Sequence, residues 1–175
     1  MIHVVDGLTD KILSVIDIGE FWNDVHRKSL KDTTETYDFI TFGDELFSTH
    51  LGKRNRIVIP DEDGRYLEFI IINDRKYRSG QGGQFVDIKS NASYLELRKA
   101  KVISPGKRSS QSLSTLVSLA VGGTEWRAGR LEGLGTRTID IEKHTDPYSL
   151  LQIISAEFNL ELQFRIEVRS NRIVC

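Results

Sequence analysis

Hydrophobic and polar positions along this chain follow two periods, and the change falls near residue 104. Before it the period is two. Ile2–Val5 is a short apolar run closed by the turn pair Asp6-Gly7, and Lys11–Ile18 sets Ile12, Val15 or Ile16, and Ile18 among polar neighbours. Tyr37–Phe42 alternates and predicts a strand, whereas Phe21–Ser29 fits a strand or a helical turn and Asp44–His50 fits a short helical turn. Arg56–Pro60 and Tyr66–Asn73 predict a hairpin around Asp61-Glu62-Asp63-Gly64, because Gly64 supplies the positive φ that such a turn needs. Arg75–Arg78 and Gln84–Ser90 predict a second hairpin around Ser79–Gly83, and Tyr94–Leu97 continues the pattern. Short strands recurring every ~8–12 residues are the mark of a barrel or sandwich.

After residue 104 the period lengthens. Ser104–Ser110 reads as a linker merging into a helix start. Leu113, Leu116, Val117 and Ala120 then lie on one helical face, and Gly122-Gly123 ends that helix. Thr136–Ile141 alternates as a strand. Asp146-Pro147 is a strong helix start, with Asp146 as N-cap and Pro147 in the first turn. Leu150, Leu151, Ile153, Ile154 and Phe158 supply its buried face, and Leu160–Val168 alternates as a further strand. Ser170-Asn171-Arg172 is a turn, and Ile173-Val174-Cys175 begins another strand that stops, the pattern expected of a piece of a longer protein. The expected fold class is α+β: an antiparallel β-barrel domain over residues 1–104, then a small α/β domain over residues 105–175 with the start of a returning strand.

Composition excludes more than it assigns. An apolar share of 39% and a charged share of 28% over 175 residues are those of an ordinary globular chain with a sizeable core. The net charge of −1 removes any global electrostatic case for nucleic acid or an anionic membrane. With Cys175 as the single cysteine, no disulfide forms within the chain, and the fold rests on packing. No basic stretch followed by an apolar run opens the sequence, so no signal peptide is read there. The apolar run Phe69–Ile72 falls far short of the ~20 residues of a membrane span.

Candidate chemistry fails on spacing. Asp61, Asp63 and Gly64 begin like a calcium loop, but Arg65 and Ile72 stand where oxygen ligands belong. Gly80-Gln81-Gly82-Gly83 lacks the Lys-Ser/Thr ending of a phosphate loop and leads into a strand rather than a helix. His3, His26, His50 and His144 share no metal spacing. Ser109-Ser110 sits in no nucleophile elbow, and the scattered carboxylates nominate no acid–base pair. Lys99, Lys101, Lys107 and Arg108, with Trp126, Arg127 and Arg130, make a modest basic cluster whose thin aromatic content favours solvated charge over nucleic-acid contact. No catalytic site, metal or cofactor is expected.

One ordered set of short segments does point somewhere. Gly122-Gly123-Thr124-Glu125-Trp126, following an amphipathic helix, stands with the opening Asp6–Leu13 and the closing Phe158–Phe164. Between them come Phe39–Phe42, Asn55–Ile59 with Tyr66–Asn73, Val86–Ser90 and Tyr94–Leu97. In this order they resemble the N-terminal region of tailed-phage tail-tip proteins, the tail-associated, prophage endopeptidase tail or baseplate-hub family. The resemblance implies a structural virion protein of the tail tip, assembled in the host cytoplasm. It implies a homotrimer in the full-length protein, seated below the distal tail protein, that closes or continues the tail tube and carries host-attachment modules. It also implies a tube-like barrel, of which residues 1–104 would be most of the first, and a peripheral domain containing residues 109–168. Gly122, Gly123, Thr124 and Trp126 would be its structural motif, with Trp126 packed against Leu113–Val117 or Leu150–Ile154. The fragment alone would lack part of the first barrel and all of the second, and is expected to be a monomer. No residues match a peptidase site, so the enzymatic part of the family's name does not carry over. The alternatives are a wall-degrading tail enzyme and the hub of a related contractile injection or secretion machine.

Overall fold

Seven antiparallel strands make the sheet of the first unit: β1 (Ile2–Val5), β2 (Ile12–Ile16), β3 (Phe21–Ser29), β4 (Thr34–Phe42), β5 (Arg56–Pro60), β6 (Tyr66–Arg78) and β7 (Gln84–Ala92). Their spatial order is β2-β1-β5-β6-β7-β4-β3. The computed structural model describes residues 1–29, 34–169 and 172–174. The chain divides into two units, Met1–Ser93 with Arg165–Val174, and Tyr94–Phe164.

The long strand β6 organises the sheet. Its first part, Tyr66–Ile70, pairs with β5, and its remainder, from Phe69 to Arg78, pairs with β7. Only Phe69 and Ile70 serve both neighbours, and the β7 register shifts between Ile71 and Asn73. A bulge of this kind bends a strand and lets it pass from one half of a sheet to the other. The two edge strands, β2 and β3, are consecutive in sequence and joined only by residues 17–20. Such a short link holds the ends of both edges within a few residues' reach, so the sheet has to roll. The link is a tight turn: Glu20 N donates to Asp17 O at 3.1 Å and Asp17 N to the Glu20 carboxylate at 2.7 Å. Thr41 Oγ1 ties it to β4 by donating to Glu20 O at 2.6 Å.

The sheet is rolled but not closed into the barrel expected for residues 1–104. Closure needs a β2–β3 ladder, and the described strands form none. A register shift between Trp22 and Val25, with Asn23 in the left-handed region at φ 51°, turns β3 further.

The core lies on the inner face. Glu35, Tyr37, Phe39 and Thr41 of β4 and Val86, Ile88, Ser90 and Ala92 of β7 are buried in strict alternation, as half-buried antiparallel strands require. Phe69 is fully buried, with Tyr37 and His26 ringed around it at 5.7 and 5.6 Å. Arg56–Ile59 of β5 is buried at every position. Inside it, the Arg56 guanidinium bonds to the Glu68 carboxylate at 3.1 Å, to Gly7 O at 3.3 Å, and to Asp10. The ambiguous Phe21–Ser29 is thus a strand, and residues 44–50 contain a short tight helical turn over Leu46–His50.

The second unit holds α1 (Leu97–Ala100), β8 (Gly106–Ser112), α2 (Leu113–Val121), β9 (Thr136–Ile141) and α3 (Pro147–Phe158). Three expectations change here. Tyr94–Leu97 does not continue the β pattern; a tight turn over Ser93–Glu96 leads into α1, where Lys99 pairs with Glu96 at 2.9 Å. The linker Ser104–Ser110 is largely strand, since β8 pairs with β9 from Gly106↔Ile141 to Ser112↔Thr136. Its residues are exposed or half-exposed, so its order comes from the ladder rather than from a hydrophobic pattern. Ile153 is 37% exposed, while Tyr148, Leu150, Leu151, Ile154 and Phe158 form the buried face of α3. The helix starts follow their caps: the Ser112 and Asp146 side chains accept from Thr115 N at 3.2 Å and Ser149 N at 2.9 Å. Asn159 closes α3 in the left-handed conformation at φ 52°.

Leu160–Val168 is not one strand either. The half-buried and exposed positions alternate as expected, but the segment finds no ladder until Ile166 bridges Tyr66 in the first unit. β10 (Glu167–Arg169) and β11 (Arg172–Val174) then pair antiparallel, while Ser170 and Asn171 of the expected turn and Cys175 of the expected strand lie outside the described residues.

Two predictions follow from this core. Phe69→Ala removes the ring at the bend of β6 and is expected to cost about 3–5 kcal/mol, read from urea unfolding; a loss below about 1 kcal/mol would contradict the bend's role. His3, on β1, has its pKa lowered by burial and by the nearby N-terminal ammonium, against a smaller opposing hydrogen bond that the ring donates to the Val58 backbone. The folded chain therefore binds less proton at His3 than the unfolded chain does, and stability falls as pH drops through about 6.5. His3→Gln should flatten the stability–pH slope between about pH 7 and 5 in thermal melts, and an unchanged slope would contradict it.

Candidate functional site

The Gly122–Trp126 segment terminates α2 and then anchors the chain. Gly122 N donates to Ser118 O at 2.9 Å, and a Cβ at Gly122 would stand 2.7 Å from that same oxygen. Gly123 takes a left-handed φ of +80°, which lets the chain leave the helix. Thr124 bonds to Val121 O through both N and Oγ1, at 3.0 and 2.7 Å, and its hydroxyl accepts from Trp126 N at 3.2 Å. Lys101 Nζ donates to Leu119 O at 2.9 Å and also to Gly122 O. A cation there satisfies the last carbonyls and complements the negative end of the helix dipole. Lys101, grouped by sequence with a basic cluster, is thus a helix cap.

Trp126 is 7% exposed, and its ring meets Phe164 edge-on at 5.3 Å. Phe164 lies nearly parallel to Tyr94 at 4.3 Å and to Tyr148 at 6.0 Å, and the Arg98 guanidinium sits over Tyr148 at 5.2 Å. The ring partner is therefore the extended tail after α3, while the indole Nε1 is buried without a hydrogen-bond partner. Aromatic contacts of this geometry contribute ~0.5–1.5 kcal/mol each beyond burial. The segment is a packing knot with no reactive group in it.

The other sequence candidates are dispersed. His3 lies on β1, His26 on β3 bonds to buried Glu35 at 2.8 Å, His50 ends a tight turn and His144 is in an exposed loop. Among the described residues no three His, Cys, Asp or Glu side chains are placed to hold a metal. Asp61 is a turn former, accepting from Asp63 N at 2.9 Å and Arg65 N at 2.7 Å, with Gly64 at φ +73°. Gly82, at φ +90°, closes the second hairpin under a Ser79 N to Gly83 O bond of 2.9 Å. Ser109 and Ser110 lie on β8, and Arg130 pairs locally with Glu132 at 3.0 Å.

Sequence reasoning missed a feature of the first unit's outer face. Tyr77 of β6, Phe85 of β7, Phe42 of β4 and Trp22 of β3 stand on four neighbouring strands, with Tyr77↔Phe85 and Phe42↔Phe85 in direct register. The rings touch in a row at 5.6, 6.2 and 5.0 Å. Behind it the same face carries an ionic row, in which Asp38 pairs with Arg27 at 2.8 Å and with Lys89 at 3.4 Å. The available signal was phase: these aromatics alternate with the buried residues instead of joining them.

Against solved structures, the chain is similar to a tail protein from Neisseria meningitidis MC58 at 14% identity and a TM-score of 0.59, covering 89% of this chain and 45% of that one. It is also similar to prophage tail protein gp18 from Listeria monocytogenes EGD-e at 12% identity and a TM-score of 0.57, covering 98% and 48% respectively. The fold is that of tail proteins. The chain spans about half the length of the solved tail proteins it matches. Neither a family model nor a curated protein matches the sequence.

Truncating Trp126→Ala is expected to cost about 3–5 kcal/mol and to lower the melting temperature, with Trp126→Phe costing less because a ring still meets Phe164. Equal melting temperatures for wild type and Trp126→Ala would show that the indole does not anchor this unit.

Proposed function

We propose that this chain is part of a structural phage-tail protein acting at the tail tip as a baseplate hub. In this reading the full-length protein is a homotrimer that assembles below the distal tail protein and closes or continues the tail tube. It carries host-attachment modules and takes part in genome delivery. It acts through protein surfaces, without catalysis, cofactor, membrane or specific nucleic-acid contact. The residue division proposed is a tube-related sheet domain over residues 1–104 and a peripheral domain over residues 105–175.

The observation that carries this reading is the similarity over 98% of the chain to a prophage tail protein, joined to the same similarity in a second tail protein. The residues themselves agree with it in kind. The sites with catalytic or ligand-like sequence resolve into turns, caps and packing, and the sheet offers two open edge strands, β2 and β3, of the sort that pair across subunits. A ring built from identical copies needs a heterologous, self-closing contact, which such opposite edges supply.

The test is the mass of the longer protein, alone and mixed with the distal tail protein, by light scattering on a sizing column. A trimer that shifts to a larger complex is expected. A monomer that ignores the distal tail protein, or release of fragments from purified cell wall by this chain, would overturn the reading.

A further inference from the structure

α2 and β9 are joined by residues 122–135, and a connection this long without secondary structure of its own is uncommon in a compact unit. It is fixed at two points. Trp126 is buried against Phe164, and Gly133 lies so close to the helices that a Cβ there would stand 2.7 Å from Leu113 Cδ2 and 3.2 Å from Phe158 Cδ1. Between these anchors Arg127, Ala128, Gly129, Arg130, Leu131 and Glu132 are all exposed and run without turn or bend. None of them makes a backbone hydrogen bond among the described residues. Their one ion pair, Arg130 to Glu132 at 3.0 Å, joins side chains that are 88% and 64% exposed and holds little.

An exposed, straight segment with free backbone N–H and C=O groups is the form in which a peptide enters a protease cleft, held there by main-chain hydrogen bonds as an added strand. The two arginines set the specificity of the enzyme, and the anchors choose between them. Arg127 directly follows buried Trp126, so a cleft closing on Arg127–Ala128 would have to take up a residue packed into the unit. Around Arg130–Leu131, by contrast, exposed Arg127, Ala128 and Gly129 precede the bond and exposed Glu132 follows it, and Ala128 and Gly129 add almost no bulk. We propose that the bond between Arg130 and Leu131 is a processing site for an arginine-specific endoprotease, cut in the folded chain. Water adds across that one amide, leaving a carboxylate on Arg130 and an ammonium on Leu131. The two pieces stay together, because β8 and α2 lie on one and their partners β9 and α3 on the other, and the Trp126–Phe164 contact spans the cut. Cleavage here does not depend on the tail role proposed above.

Timed digestion of the chain with an arginine-specific endoprotease, followed by intact mass, is compared with digestion of a synthetic peptide of residues 122–135. In native buffer the piece Met1–Arg130 should form at a rate within about tenfold of the same cut in the peptide, because no unfolding has to precede it. Cleavage at Arg127–Ala128 should proceed in the peptide and lag behind the Arg130–Leu131 cut in the folded chain. The two pieces should co-elute on a sizing column and separate in urea. Arg130→Gln should remove the cut and leave the melting temperature unchanged, since its side chain is exposed. A rate in the folded chain below that tenfold margin, a first cut at Arg127–Ala128, or pieces that part in native buffer would each overturn the proposal.

Discussion

The bend in β6 is the constraint on which the first unit depends. One strand serves two neighbours in turn, sharing only Phe69 and Ile70 between them, and the register slips immediately afterwards. Without that slip the edges β2 and β3 would lie at opposite margins of a flat sheet, far beyond the reach of residues 17–20. With it, the sheet wraps its inner face around Phe39, Phe69, Ile71 and Ile88, all essentially fully buried. The same bend covers Arg56–Ile59 of β5, and the one charged residue among them, Arg56, needs Glu68 and Asp10 as partners. A buried guanidinium left alone would be strongly destabilising, so these carboxylates follow from the position of Arg56 rather than adding a site.

The second unit buries its core mainly on the two longer helices, and the helix ends fix the path of the chain. Its β8–β9 ladder is mostly exposed, so the helices carry the burial and their termini fix the chain path. Lys101 and Thr124 close α2, Asp146 and Asn159 bracket α3, and the Phe164 ring brings the extended tail onto Tyr94, Tyr148 and Trp126. The Gly122–Trp126 segment is conspicuous in sequence because it does two jobs in five residues, ending a helix and seating an indole.

Much of this was legible where local chemistry decides structure. Gly64 and Asp61 specified their turn, Asp146-Pro147 specified a helix start, and the alternation of Tyr37–Phe42 and Val86–Ser90 specified inward faces. What escaped reading depended on partners far away in sequence. β8 has no apolar pattern and becomes a strand only because β9 presents a ladder. Leu160–Val168 has the pattern of a strand, yet among the described residues it enters a ladder only from Ile166 onward. The roll without closure involves register slips, at Ile71–Asn73 and at Trp22–Val25, which no local propensity encodes. The aromatic row was hidden for a different reason: Trp22, Phe42, Tyr77 and Phe85 lie on four separate strands, and only the register brings them onto one face.

An open sheet with two edge strands and an aromatic row on its outer face, in a fold shared with solved tail proteins, is the physical ground of the proposed tail role. The most direct test is to purify tailed particles from the host that encodes the chain. Peptides of residues 1–175 should be identified in them by mass spectrometry, and antibody raised to the chain should be located on them by electron microscopy. The account predicts the chain in stoichiometric amount in purified particles, with label confined to the tail end. Recovery of the chain only from the soluble lysate, with particles free of it, would contradict the account.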